Sequence, residues 1–291
     1  RPSLNSTFVK AVEILKNNNV PIFGDFDDLI FSIKHASERP SVKNGGESLE
    51  QSVWKVRKHL RAIELINGVI TSNSLLANMF SKIQNPPKNI IVMDNSWHFS
   101  WLKENKINEN LIKLKLFSKK KLQLNYFSGT RTHDLDLSII AEPLSNILTK
   151  HRNIIFVFIG KGSVPIILRD KSIKYKKIHF NNYHLAVSKA FVNLAPLENT
   201  VFNNSKSALK IIEAGFFGIN TVCSPTPEYK NAPKISRNVV MSLDDWESSL
   251  DRAIETGYNS KITLNRIEEV RSFYHPLTNT KKLISRLEAL L

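Results

Sequence analysis

The chain has little of what marks a secreted or membrane-spanning protein. One cysteine, Cys223, occurs in 291 residues. No internal disulfide can therefore form, and the thiol reads as an inert strand residue in a reducing compartment. No apolar run approaches the length needed to cross a bilayer, and no signal-peptide pattern opens the sequence. These absences predict a cytoplasmic protein. Acidic side chains are also scarce, 26 against 41 Lys and Arg, for a net charge of +15. Such a field favours polyanions: nucleic acid, an anionic membrane surface or phosphorylated substrates. No helix-turn-helix, RNP or zinc-knuckle pattern accompanies it, which makes nucleic acid the poorer partner. The charge gives weak support to peripheral work at the inner face of the cell membrane.

What is present alternates between helix and strand spacing. Residues 7–18 have the apolar period of a helix, and VPIFGD that of a short strand ending at Asp25, Asp27 and Asp28. A strand-end aspartate cluster either binds a cation or caps a turn, and both readings stay open. Residues 38–48, with Pro40, Gly45 and Gly46, read as a flexible loop, and 49–67 as a long helix. GVITSN and NIIVMDN are strands. Three β/α units in the first hundred or so residues are few for a complete doubly wound half. Together with a start at Arg1 rather than methionine, this leads us to expect an incomplete N-terminal half and a fragment of a longer protein. The aromatic run SWHFSW, residues 96–101, either packs internally or stacks on a sugar ring. His98 within it is a candidate acid or base without an evident partner. Residues 106–121 are lysine-rich and are expected to link two domains.

The second half opens with the strand LQLNYFS and the turn Ser128-Gly129-Thr130. Gly129, lacking a side chain, lets backbone N–H groups approach a phosphate, and Thr130 and Arg131 add donors. Ligands bind at the carboxyl ends of parallel strands, which is where this turn falls. One helix is expected from His133 to His151. IIFVFIG reads as a strand buried on both faces, KYKKIHFN as a short strand, and Tyr183 as part of the helix after it.

Residues 191–229 carry the most chemistry. They read as strand AFVNLAPL, a single helix over 203–214 capped by Asn203 or Asn204, a turn at Gly215 and Gly218, and strand INTVCSP. On one helix Lys206, Lys210 and Glu213 form a polar stripe, with Ala208, Leu209, Ile211 and Ile212 turned towards a sheet. Two lysines near a helix N-terminus suit a diphosphate, and a carboxylate further along suits ribose hydroxyls. The same residues also suit a solvated ion-pair face.

YFSGTRTHDLD (126–136), NIIFVFIGKG (153–162), VNLAPLE (192–198) and KSALKIIE (206–213) occur in that order, followed by the strand INTVCSP. This series resembles a subgroup of GT-B glycosyltransferases of the group 1, family 4 kind, which carries SGTxTHDxD, VNLAPLE and KSxLKxxE. FGDFDDLIF resembles the FDxDDLxF stretch of the same subgroup. The resemblance implies an α/β protein of two Rossmann-like domains facing a cleft. They would span residues 1–118 and 119–275, with 276–291 as a crossover helix. It implies a retaining transferase that moves a sugar from a UDP-, GDP- or dTDP-sugar to a glycan or lipid-linked acceptor. The setting would be bacterial surface polysaccharide synthesis, lipopolysaccharide or capsule, with no metal and no tightly bound cofactor. Its donor contacts would be Gly129, Thr130, Arg131, His133, Tyr183, Asn203, Lys206, Lys210 and Glu213, the last on the ribose hydroxyls. Tyr183 would lie beside the base. The wider family has a glutamate where this chain has Ser205, so the catalytic assignment falls on Ser205 and on Glu198 in the preceding loop. Rival readings are a non-catalytic GT-B domain of a larger synthase, a basic nucleic-acid-binding protein, and a GT-B sugar epimerase.

Overall fold

The computed structural model describes residues 1–104, 121–129 and 134–290. Residues 106–120 of the expected linker, and Thr130, Arg131 and His133, lie outside the described residues. The chain forms two compact units: Arg1–Asn95 with Asn199–Ser207 and Leu277–Leu291, and Ser96–Glu198 with Ala208–Pro276. Among the described residues no helix is long and apolar enough to cross a membrane.

The first unit holds three parallel strands in the order β1-β2-β3: β1 Phe23–Phe26, β2 Gly68–Thr71 and β3 Asn89–Val92. Its core joins Phe26, Phe31, Ile63, Val69, Leu76 and Phe80 to Phe202 of the returning segment. Phe31 stacks on Phe80 at 3.5 Å between ring centroids, with Phe26 edge-on to both. The Leu49–Ile63 helix starts at a capping box in which Ser48 and Gln51 satisfy each other's amides. Residues 38–48 are not a plain loop. They include a one-turn helix, Pro40–Lys43, and Glu47 is tied to Ser41, Arg39 and Lys55.

The second unit is a six-stranded parallel sheet in the order β6-β5-β4-β7-β8-β9. The strands are β4 Leu122–Phe127, β5 Ile154–Ile159, β6 Ser172–Tyr175, β7 Val192–Ala195, β8 Asn220–Cys223 and β9 Arg237–Val239. The chain steps outward through β5 and β6, returns to β7 beside β4, then steps out the other way. This is double winding, and its switch point lies between β4 and β7. Both faces of the sheet are covered, which is why the strands read as continuous apolar runs. Leu124, Phe156, Leu194 and Val222 meet Leu144, Ile147 and Leu250 on one side. Phe127, Val157, Ala195 and Cys223 meet Ile211, Ile212 and Val270 on the other. Burial pushes the Cys223 thiol up to about 12, leaving it unreactive.

Two expected elements of this unit differ. The 133–151 helix is two, Asp134–Ser138 and Ala141–Lys150, because Pro143 cannot donate to a preceding turn and sits instead in the first turn of a new helix. The strand expected at 174–181 is Ser172–Tyr175, and His179 then accepts from the Asn181 amide to cap the helix Phe180–Ser188. The two tryptophans of SWHFSW pack internally, while Phe99 is exposed. Trp97 lies against Phe216 and donates to the Arg271 carbonyl at 3.0 Å, and Trp101 lies against Phe216 and Phe217. His98 is exposed, with Nδ1 2.7 Å from the Ser100 hydroxyl.

Candidate functional site

The loops at the switch point of the second unit are knitted together by a few short contacts. Gly129 follows β4 with φ of 65°, and among the described residues nothing lies within 4 Å of where a side chain would begin. Gly160 follows β5 with φ of 143°, where a Cβ would collide with the Ser128 hydroxyl and stand 2.9 Å from the Gly129 nitrogen. At Gly162 a Cβ would collide with Asp134. The two turns approach each other at glycine distance, as a backbone that cradles a ligand requires. Asp134 Oδ1 accepts from the Ser163 amide at 3.0 Å, and buried Asp136 accepts from the Glu198 amide at 2.8 Å. The Ser224 hydroxyl, just after β8, accepts from the Leu197 amide at 2.8 Å. Glu198 thus sits, half-buried, in a braced loop after β7.

Beside these loops three expected residues meet directly. Tyr183, from the helix Phe180–Ser188, donates to Glu213 Oε2 at 2.7 Å. Lys210, from the helix Leu209–Gly215, donates to the Tyr183 oxygen at 2.9 Å and to the same Glu213 oxygen at 3.2 Å. Glu213 is 9% exposed. Its Oε2 takes both donors, while Oε1 has no hydrogen-bond partner among the described residues. Burial works to lower the Lys210 pKa, but Glu213 and Tyr183 outweigh it and hold the ammonium above its ordinary value. Burial, and then the Glu213 charge, push the Tyr183 phenol up, so it stays protonated. The Tyr183 ring stands edge-on to Phe127 at 5.3 Å, and the Lys210 ammonium lies 5.6 Å from the Phe127 centroid. Asn193 on β7 anchors the start of the same helix by donating to the Lys210 carbonyl at 3.2 Å.

The remaining expected residues are arranged differently. The single helix over 203–214 is two, Val201–Asn204 and Leu209–Gly215. Thr200, not Asn203 or Asn204, caps the first, accepting from the Asn203 amide at 3.1 Å. The Ser205 hydroxyl donates to the Phe202 carbonyl at 2.7 Å, and its own carbonyl accepts from Asn73 at 2.7 Å. Short polar side chains in the run Asn203-Asn204-Ser205 compete with the helical ladder, and the helix stops there. Lys206 therefore shares no helical stripe with Lys210 and Glu213, and it belongs to the first unit with Asn203 and Ser205. Ser205 is wholly buried with its hydroxyl engaged.

Sequence reasoning missed the acid that holds this segment. Glu38 accepts from the Val201 amide at 2.7 Å and the Phe202 amide at 3.3 Å, with His35 Nδ1 2.9 Å away. Burial would raise the Glu38 carboxyl, but His35 and the two amides hold it below the usual range. No local pattern pairs residues so far apart. In the aspartate cluster, Arg1 pairs with Asp27 and, at 2.9 Å, with Asp28. Among the described residues no group of three His, Cys, Asp or Glu side chains could hold a metal. A separate hollow of about 680 Å³ in the first unit is lined by Phe31, Leu60, Met79 and Ile83, with Lys34 and Lys82 among its polar residues.

Neither a protein-family model nor a curated protein matches the sequence. Solved structures do match the fold. WaaG, a glycosyltransferase involved in lipopolysaccharide biosynthesis, superposes with a TM-score of 0.62 at 12% identity over 92% of this chain and 77% of its own. Anabaena Alr3699/HepE in complex with UDP-glucose gives 0.65 at 11% identity over 97% and 76%. Staphylococcus aureus TarM, with UDP, fondaparinux and α-GlcNAc-glycerol, gives 0.60 at 12% over 92% and 50%. At that identity the likeness is one of architecture: the chain has parallel α/β units in the GT-B glycosyltransferase fold.

Proposed function

We propose that the chain is a glycosyltransferase that uses a nucleotide-sugar donor. The observation that carries this is Glu213: a carboxylate of low exposure with one oxygen saturated and the other open, near the switch point of a doubly wound sheet. An open carboxylate oxygen accepts from hydroxyls and repels phosphates, so it suits the ribose of a nucleotide. Lys210 supplies the local positive charge that a diphosphate needs. The turn at Gly129, with Thr130, Arg131 and His133, is the phosphate turn, and Glu198 is the carboxylate assigned to the transferred sugar. HepE crystallised with UDP-glucose and TarM with UDP lend the same chemistry by likeness of fold. We extend the reading to a retaining transfer, without a metal, onto a glycan or lipid-linked acceptor of a bacterial surface polysaccharide at the cytoplasmic membrane face.

A second reading, a non-catalytic GT-B unit of a larger synthase, is favoured by Ser205, which is buried where the resembling family has a glutamate. A thermal-shift panel of UDP-, GDP-, dTDP- and CMP-sugars tests donor use. A ligand at a hundredfold its Kd stabilises the fold by about 2.7 kcal/mol. Stabilisation followed by donor hydrolysis or transfer supports the enzyme, and stabilisation without turnover supports the second reading. No stabilisation by any sugar nucleotide, with salt-sensitive nucleic-acid binding instead, would sink both.

A further inference from the structure

Resting on that reading of Glu213, we infer that Tyr183 is a positioning residue. Its phenol holds Glu213 Oε2 so that Oε1 is presented to the vicinal hydroxyls of the donor nucleoside. It thereby makes the site selective for ribonucleotides over 2′-deoxyribonucleotides, and Tyr183 itself does not read the base.

Lys210 and Glu213 lie one helical turn apart, and such a pair on its own is weak and rotationally loose. Either carboxylate oxygen can face the ammonium, so the pair alone does not decide which is left open. Tyr183 removes that freedom. It comes from a different helix, and its ring is fixed edge-on to Phe127 at the end of β4. Its hydroxyl reaches Oε2 at 2.7 Å, closer than Lys210 at 3.2 Å. The Lys210 ammonium also donates to the phenol oxygen at 2.9 Å, which polarises the phenol and strengthens its bond to the carboxylate. Two donors converge on one oxygen, and no described residue donates to the other. A hydroxyl whose hydrogen bonds run to Lys210 and Glu213 has no donor hydrogen left for a base. The geometry is that of a carboxylate aimed by its neighbours, as preorganised sites require.

The test uses UDP with 2′-deoxy-UDP, and GDP with 2′-deoxy-GDP, titrated by calorimetry into wild type and Tyr183→Phe. Wild type should prefer the ribonucleotide of its own base by tenfold or more. Tyr183→Phe keeps the ring and its packing, and should reduce that preference to below about threefold with the thermal midpoint little changed. If the variant binds both sugars more weakly but keeps the wild-type ratio, Tyr183 is merely structural and the inference fails alone. An unchanged ratio with unchanged affinities fails it equally. If wild type binds none of the four, or does not discriminate, the ribose reading of Glu213 falls and takes this inference with it. Should Tyr183→Phe unfold, 4-aminophenylalanine in place of Tyr183 decides: its amino group stands where the phenol oxygen does and donates to Oε2, so the preference should persist, and its loss overturns the inference.

Discussion

At the scale of the residue, Glu213 decides most. Its Oε2 is engaged twice and its Oε1 not at all by the described residues. Changing the carboxylate to an amide replaces one acceptor with a donor and removes the charge that faces Lys210. Glu213→Gln is expected to weaken nucleoside diphosphate binding by roughly tenfold, about 1.4 kcal/mol. A plain surface ion pair would instead cost a few tenths of a kcal/mol in stability and nothing in binding. Equal affinities for UDP and GDP in both proteins would remove Glu213 from any donor site. Glu213 and Lys210 were legible in the sequence because they lie one helical turn apart, and helical spacing survives whatever happens upstream. Lys206 falls elsewhere for the converse reason. Its placement on the stripe assumes an unbroken helix, and Ser205 turns its hydroxyl back onto Phe202. The hydrogen bond from Tyr183 to Glu213 was not legible, because it joins two helices and no spacing rule reports such a contact.

At the scale of the element, glycines and one arginine fix the turns on which the site rests. Gly160 has a backbone that L side chains rarely adopt, and a Cβ there collides with Ser128. Gly160→Ala should therefore lower stability by about 1–3 kcal/mol, read as a shift in urea midpoint. Gly129→Ala, with no described residue within 4 Å of its Cβ, should cost less. An equal midpoint for Gly160→Ala and wild type would mean that the β4 and β5 turns do not pack as described. Arg266 works on the other edge of the sheet. It is 1% exposed, and donates to the Gly218 and Ile235 carbonyls at 2.6 Å each, with burial lowering its pKa to about 10. Gly218 has φ of 76° and ends the turn after the Leu209–Gly215 helix, so Arg266 clamps the exit of the helix that carries Lys210 and Glu213. A lysine cannot span both carbonyls. Arg266→Lys should destabilise by about 1–3 kcal/mol, and an unaltered midpoint would show the clamp to be idle. Strands were the most legible elements, because burial on both faces leaves an apolar run that nothing else produces. Helix breaks at Pro143 and Ser205 were less so, since each depends on one side chain competing with a ladder that the periodicity around it supports.

At the scale of the whole molecule, charge is the organising fact. With 41 basic and 26 acidic side chains, cations outnumber the carboxylates available to meet them. Two acids serve more than one basic group: Glu47 meets Arg39 and Lys55, and Asp251 meets Lys150 and His151. The surplus repels itself, and the compact state bears that cost because folding brings the charges together. Salt relieves it. Between about 10 mM and about 150 mM ionic strength the screening length falls from roughly 30 Å to roughly 8 Å, which leaves close pairs intact and mutes distant repulsion. The melting temperature should therefore rise with NaCl over this range at neutral pH. Acid should sharpen the effect. For Asp251 and Glu47 burial alone would raise the carboxyl, but their basic partners, with Ser41 for Glu47, hold each below its ordinary value. A carboxyl whose folded pKa is depressed adds stability that is complete above the unfolded value, about 4, and is lost as pH falls through the folded one. Below about pH 4 the protein thus loses those contributions while its net positive charge climbs, so the rise in melting temperature with NaCl should be larger at pH 4 than at pH 7. A melting temperature that falls with NaCl at both pH values would mean that the attractive pairs outweigh the surplus, and that the excess of lysine and arginine is electrostatically spent within the fold rather than left for a polyanionic partner.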